Sequence, residues 1–304
     1  MNAVLTHPAQ DRPALASPGR AARTRALLAP SVVALLLWMI VPLVMTLYFS
    51  FQRYNLLDPT LTGFAGLENY EFLLTDPELW TALSNTLILV GAVLAITVGF
   101  GTVLAVLFNQ QFPGRGIARL LVIAPFFVMP TVSALVWKNL MMHPIYGVIS
   151  FLTRGVGLAP IDWFAQLPML AVIIIVAWQW LPFALLILLT SLQSLDHEQR
   201  EAARMDGAKP LSMFFFIILP HLRRGIGVVV MMETIFLLSV FAEIFVTTAG
   251  GPGNATTNLA FLIYTRALLQ YDIGGASAGG VIAIVLANIV AFFLVRSIAR
   301  NLEV

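Results

Sequence analysis

The chain has 304 residues, 59% of them hydrophobic and 11% charged, with no cysteine and a formal net charge of +2. That composition lies far outside the soluble globular range, and it excludes disulfides, thiolate chemistry and cysteine-based metal sites. The small net charge argues against a nucleic-acid partner, while apolar runs of about 20 residues argue for a lipid bilayer as solvent, where each helix satisfies its own backbone hydrogen bonds.

In chain order, residues 1–25 carry Arg12, Arg20, Arg23 and Arg25 among Pro, Ala and Ser and are read as a flexible tail. Six membrane spans follow, near residues 26–51, 83–108, 117–140, 168–192, 226–246 and 276–295, within a single membrane domain over 26–299. The first is too long for the core of a signal peptide and is read as an uncleaved span. Pro125 and Pro130 interrupt the third and predict a kink in it. Leu259–Leu269 is apolar but too short to cross, and is read as an interfacial or partly inserted helix. The fold class is therefore an all-α integral membrane protein with six transmembrane helices.

Lysine and arginine fall asymmetrically about these spans. With the N-terminus inside, thirteen of the seventeen basic residues lie on the cytoplasmic side, and only Arg53, Lys138, Arg154 and Arg266 lie outside. Asp58, Glu68, Glu71, Asp76, Glu78, Asp162 and Asp272 gather on that outer side. Both termini are predicted to be cytoplasmic.

Residues 193–222 then form a cytoplasmic loop between spans four and five, too long for a mere connector. Asp196 is placed to cap a helix, with Gln199 at the reciprocal position. Gly207 suits a left-handed stop, and Pro210 suits the first turn of a second helix. Ala202 and Ala203 are small enough for close approach by another surface, and Glu201, Arg204 and Asp206 are available for polar contacts. A solvated loop helix without a partner is the plain alternative.

The motif Glu201-Ala202-Ala203, followed by Gly207 and by Ile-x-Leu-Pro at Ile217–Pro220, resembles the EAA loop of bacterial ABC-importer permeases. The segment Thr247–Leu268 and the WQWLP run at Trp178–Pro182 are similar to the sugar-permease branch typified by the larger permease subunit of the maltose transporter. The chain departs from that archetype in having six predicted spans rather than eight and no large periplasmic insertion. The resemblance implies a permease subunit that moves a sugar or sugar alcohol from periplasm to cytoplasm across the bacterial inner membrane. It implies a second permease subunit, two copies of an ATP-binding subunit and a periplasmic substrate-binding protein as partners. It also implies that Glu201, Ala202, Ala203, Asp206, Gly207, Leu219 and Pro220 couple the spans to the ATPase. ATP and magnesium belong to the ATPase partners, since this chain has no GxxxxGK[ST] phosphate loop, and the glycine-rich Gly250–Asn254 reads as a flexible turn. Trp180, Phe183, Glu233 and Leu237 fall at positions that line the substrate cavity in the maltose-type pattern.

Chemically, a carboxylate that accepts from vicinal hydroxyls beside aromatic rings suits a carbohydrate or polyol. Glu233 also has a structural reading, as the partner of a polar group on a neighbouring helix. Glu243 is expected near the outer end of its span, with access to water. The alternative function is a proton-coupled secondary transporter using Glu233 and Glu243. His7, His143, His197 and His221 show no metal-ligand spacing, so no metal site is assigned, and no clustered His, Asp or Glu supports an integral membrane enzyme.

Overall fold

The computed structural model describes residues 18–302, so the first seventeen residues of the predicted tail lie outside the described residues. The chain divides into two units at Tyr48. The first contains most of α1 (Pro18–Ser50), which begins inside the predicted tail. Its Leu27–Ser50 part is long and apolar enough to cross a bilayer.

The second unit is a helical bundle. A two-residue hairpin, β1 (Gln52–Arg53) paired with β2 (Gly63–Phe64), precedes α2 (Glu68–Thr75) and α3 (Pro77–Asn109). Asp76 starts α3 by accepting from the Glu78 N–H at 2.8 Å, with Pro77 at the first helical position, where a missing N–H costs nothing. The same Asp76 pairs with buried Arg266, whose guanidinium stacks 5.5 Å from the Phe72 ring. That ion pair fastens the segment around residue 266 to the α2–α3 junction.

The predicted third span is not a kinked rod. α4 (Arg115–Ile123) runs into a tight turn ending at Phe127, and α5 (Pro130–Val136) runs into a π-helical turn ending at Met141, the two arms meeting at 107°. Proline explains the severity: Pro130 disfavours helical geometry at the residue before it, and Met129 is extended at ψ 138°. The Val128 carbonyl left at the bend accepts from Gln179 Nε2 at 2.9 Å. Each arm is about 20 Å long at 1.5 Å per residue, too short to cross a bilayer alone. By length and composition, the described chain thus holds five spanning helices, or six if the bent pair counts as one.

Next come α6 (Val148–Gly155), α7 (Trp163–Gln166) and α8 (Pro168–Gln193), the last being the fourth predicted span. α8 packs along α3, and the two approach closely where a Cβ on Gly101 would lie 3.1 Å from the Ala184 Cβ. Small residues at such a crossing let backbones meet where lipid supplies no hydrophobic drive. Leu89, Val93, Val172, Val176 and Leu237 form one buried layer, and Ala105, Leu185, Leu188 and Val229 another.

After α9 (His197–Met205), α10 (Pro210–Met213) passes through a π-helical turn (Phe214–Ile218) into α11 (Leu219–Leu237) as one continuous rod. The second helix expected in the loop is therefore the foot of span five, and Leu219 and Pro220 lie inside that rod. The π turn absorbs the proline: the Leu219 N–H reaches the Phe214 carbonyl just before Pro220, which has no N–H to give. The rod stops at Leu237, short of the predicted end at residue 246, and α12 (Ala242–Thr247) follows as a separate short helix against α5 and α8. α13 (Leu259–Tyr264), extended by a π turn to Leu269, and α14 (Ile273–Leu302) complete the bundle.

Candidate functional site

The break between α11 and α12 is held open by a buried polar loop. Asn258 donates from Nδ2 to the Val240 carbonyl at 2.6 Å, and its Oδ1 accepts the Phe261 N–H at 2.8 Å, capping α13. The Gly250–Asn254 turn is part of the same device. Ala249 and Gly250 adopt φ of 49° and 85°, and the Thr256 N–H closes on the Gly250 carbonyl at 3.0 Å. A Cβ on Gly250 would sit 2.7 Å from the Phe261 ring, so this is a packed, hydrogen-bonded turn rather than the loose one expected from its glycines. Asn85 on α3 donates to the carbonyls of Asn254 and Thr257, at 2.9 and 3.0 Å, and docks the turn on the bundle.

One turn below the break, Glu233 is fully buried and accepts a 2.6 Å hydrogen bond from Thr97 Oγ1 on α3. Its other oxygen, Oε1, has no partner. Leu237, one turn on, is equally buried in the Leu89–Val93–Val176 layer. Neither side chain reaches a surface in this conformation, because the face of α11 that carries both is turned towards α3 and α8. The cavity wall on which both were expected is therefore not formed by them in this conformation. Glu243 is also buried, where access to water was expected, because the break folds α12 back against α5 and α8.

Trp180 and Phe183 are placed differently. Both are half-buried on α8 and lie 5.9 Å apart, and Phe126, from the turn after α4, stands 5.8 Å from Trp180 and 5.9 Å from Phe183. Phe236 adds a ring 5.2 Å from Trp180 and is itself exposed. The result is a continuous aromatic wall made by three segments. Phe126 and Phe236 were missed from sequence: Phe126 comes into place only through the 107° bend, and Phe236 lies next to the buried Leu237, about 100° round the helix from it. Trp178 packs edge-on to Trp137 at 5.6 Å instead and belongs to a helix interface.

At the α9 end, Asp196 Oδ1 caps the helix by accepting the Glu198 N–H at 3.0 Å, and Gly207 takes a left-handed φ of 78°. Glu201, Ala202, Asp206 and Gly207 are exposed, whereas Ala203 turns inward onto the Leu192–Met213–Leu222 cluster. Of the alanine pair, Ala202 is thus the more open to another surface. His221 Nε2 lies 2.9 Å from the Ser191 carbonyl and 3.2 Å from Ser194 Oγ, and ties the foot of span five to the end of α8. Among the described residues no group of three or more His, Asp or Glu forms a metal cluster.

Comparison with known proteins agrees with this architecture. The family model described as "binding-protein-dependent transport system inner membrane component" matches residues 98–304. A probable ABC transporter permease protein of Sinorhizobium fredii is 35% identical over 90% of this chain and 89% of its own length. The trehalose/maltose transport system permease protein of Thermococcus litoralis is 31% identical over 88% of this chain and 89% of its own. In fold, the chain superposes with a TM-score of 0.79 on a chain of a bacterial ABC transporter involved in alginate import, at 23% identity over 93% of this chain and 96% of that one. A bundle of apolar spans with a capped, exposed helix at one end and matches of this extent is a transport subunit rather than an enzyme, and the chain belongs to the family of binding-protein-dependent transport system inner membrane components, the permease subunits of ABC transporters.

Proposed function

We propose that this chain is the permease subunit of an importer that carries a sugar or sugar alcohol from periplasm to cytoplasm. The observation that carries the reading is the aromatic wall of Phe126, Trp180, Phe183 and Phe236, because aromatic faces stack on the apolar C–H faces of sugars. The likeness to a trehalose/maltose permease over most of both chains supports the same substrate class. In this reading a second permease subunit faces the wall and a periplasmic binding protein delivers the substrate. Of two ATP-binding subunits, which hold ATP and magnesium, one docks on α9 through Glu201, Ala202 and Asp206, with Gly207 fixing the angle of the helix. The asymmetry of lysine and arginine supports a cytoplasmic α9 and cytoplasmic termini.

Glu233 faces Thr97 and Glu243 sits on α12 against α5, so the two carboxylates sit among different neighbours and no observation favours proton coupling through them. Uptake into vesicles bearing the assembled complex tests the reading. Transport that requires ATP and survives an uncoupler is expected. Transport abolished by the uncoupler and indifferent to ATP would turn the assignment towards a secondary transporter.

A further inference from the structure

Between α9 and the feet of α3 and α10 lies a cleft of about 560 Å³ that the coupling role leaves unused. Its lining is of two kinds. Arg200, Arg204 and Asn109 supply polar groups, while Met213, Phe214 and Ile218 supply an apolar floor. Arg200 and Arg204 stand four residues apart, so they share one face of α9 and bring two like charges together. Among the described residues neither guanidinium has a hydrogen bond or ion pair. A hollow of about 380 Å³ beside the cleft is lined by the same two arginines and Asn109, together with the carboxylate-bearing Glu201.

Two adjacent guanidiniums offer forked donors to phosphate oxygens, which carboxamides can supplement. An apolar floor beneath them suits a ligand whose phosphate is borne on a hydrocarbon body. Leu211, Phe215 and Phe216 are exposed on the same rod, so the surface adjoining the cleft is apolar and faces outward. Basic pockets among transmembrane helices on the cytoplasmic side bind anionic headgroups. We propose that this cleft is a phosphate site filled by the headgroup of an anionic phospholipid, held by Arg200 and Arg204. The assignment does not depend on docking of an ATPase to α9.

The test uses the full chain purified in detergent. Retention of phosphatidylglycerol and of phosphatidylcholine is measured by native mass spectrometry, and binding of inorganic phosphate by broadening of its phosphorus resonance. Phosphatidylglycerol is expected to be retained about tenfold better than phosphatidylcholine. That preference is expected to vanish in the Arg200→Gln/Arg204→Gln variant and to be weakened but not lost in Arg200→Lys/Arg204→Lys, which keeps the charge without the forked donors, with unchanged thermal melting in both. Arginine-dependent broadening of phosphate without a lipid preference would overturn the lipid as the source and leave a free phosphate in its place. If neither probe distinguishes the glutamine variant from the parent protein, the cleft is not a phosphate site.

Discussion

Asn258 serves two backbone groups at once, donating to the carbonyl of Val240 at 2.6 Å and accepting from the N–H of Phe261 at 2.8 Å. Val240 lies where span five stops being helical, so its carbonyl has lost its usual partner. The side chain thus makes the break stable inside an apolar bundle. Asn258→Leu is expected to cost about 1–3 kcal/mol, the usual range for leaving a buried polar group unpaired. Asn258→Asp is expected to cost at least as much, because an acceptor would then face a carbonyl oxygen. Thermal melting of the purified chain checks both. Unchanged melting would mean that the break is held by packing alone.

Glu233 and Thr97 are expected to behave as one unit. Glu233→Ala and Thr97→Val each remove the same 2.6 Å contact, so their effects on melting should not add, and the double variant should resemble Glu233→Ala alone. Each change is expected to lower stability by about 1–3 kcal/mol. If Glu233→Ala abolishes uptake while melting is untouched, the carboxylate reaches the ligand in another conformation of the transport cycle, and the buried pairing seen here is incidental.

The aromatic wall makes a kinetic prediction. Trp180→Ala removes the ring that touches Phe126, Phe183 and Phe236, and is expected to raise the KM for uptake by about tenfold, equivalent to roughly 1.4 kcal/mol. Trp180→Phe should fall between the two. Assembly with partner subunits should survive, since the ring is only half-buried. An equal loss of uptake at all substrate concentrations would point to a packing role.

At Gly207 the expectation turns on the backbone alone. No atom lies within 4 Å of where a Cβ would be, so a side chain fits, but φ of 78° is left-handed. Gly207→Val should cost about 1–2 kcal/mol or shift the turn, and should reduce co-purification of the ATPase subunits. Gly207→Asn tolerates that geometry far better and should retain it. Glu201→Lys should weaken docking by charge reversal. Normal co-purification and normal substrate-stimulated ATP hydrolysis in both Gly207→Val and Glu201→Lys would leave the loop as a connector only.

Where the chain could be read directly, the signal was local or compositional. Long apolar runs mark the spans because crossing a bilayer demands an unbroken helix of fixed length. Asp196, Gly207 and Pro210 mark the ends of α9 and α10 because caps and left-handed turns depend on the residue in place. What escaped a linear reading depends on which groups meet. Pro130 signalled a bend, but the 107° angle required Gln179 of a different helix to take up the freed carbonyl. The break after Leu237 has no proline or glycine to announce it, and exists because Asn258, eighteen residues after Val240, returns to satisfy the exposed backbone. The same logic buried Glu233. Which face of a uniformly apolar helix turns inward is undetermined by composition when both lipid and core are apolar, and only Thr97 on α3, together with the close packing of α3 against α8, decided it.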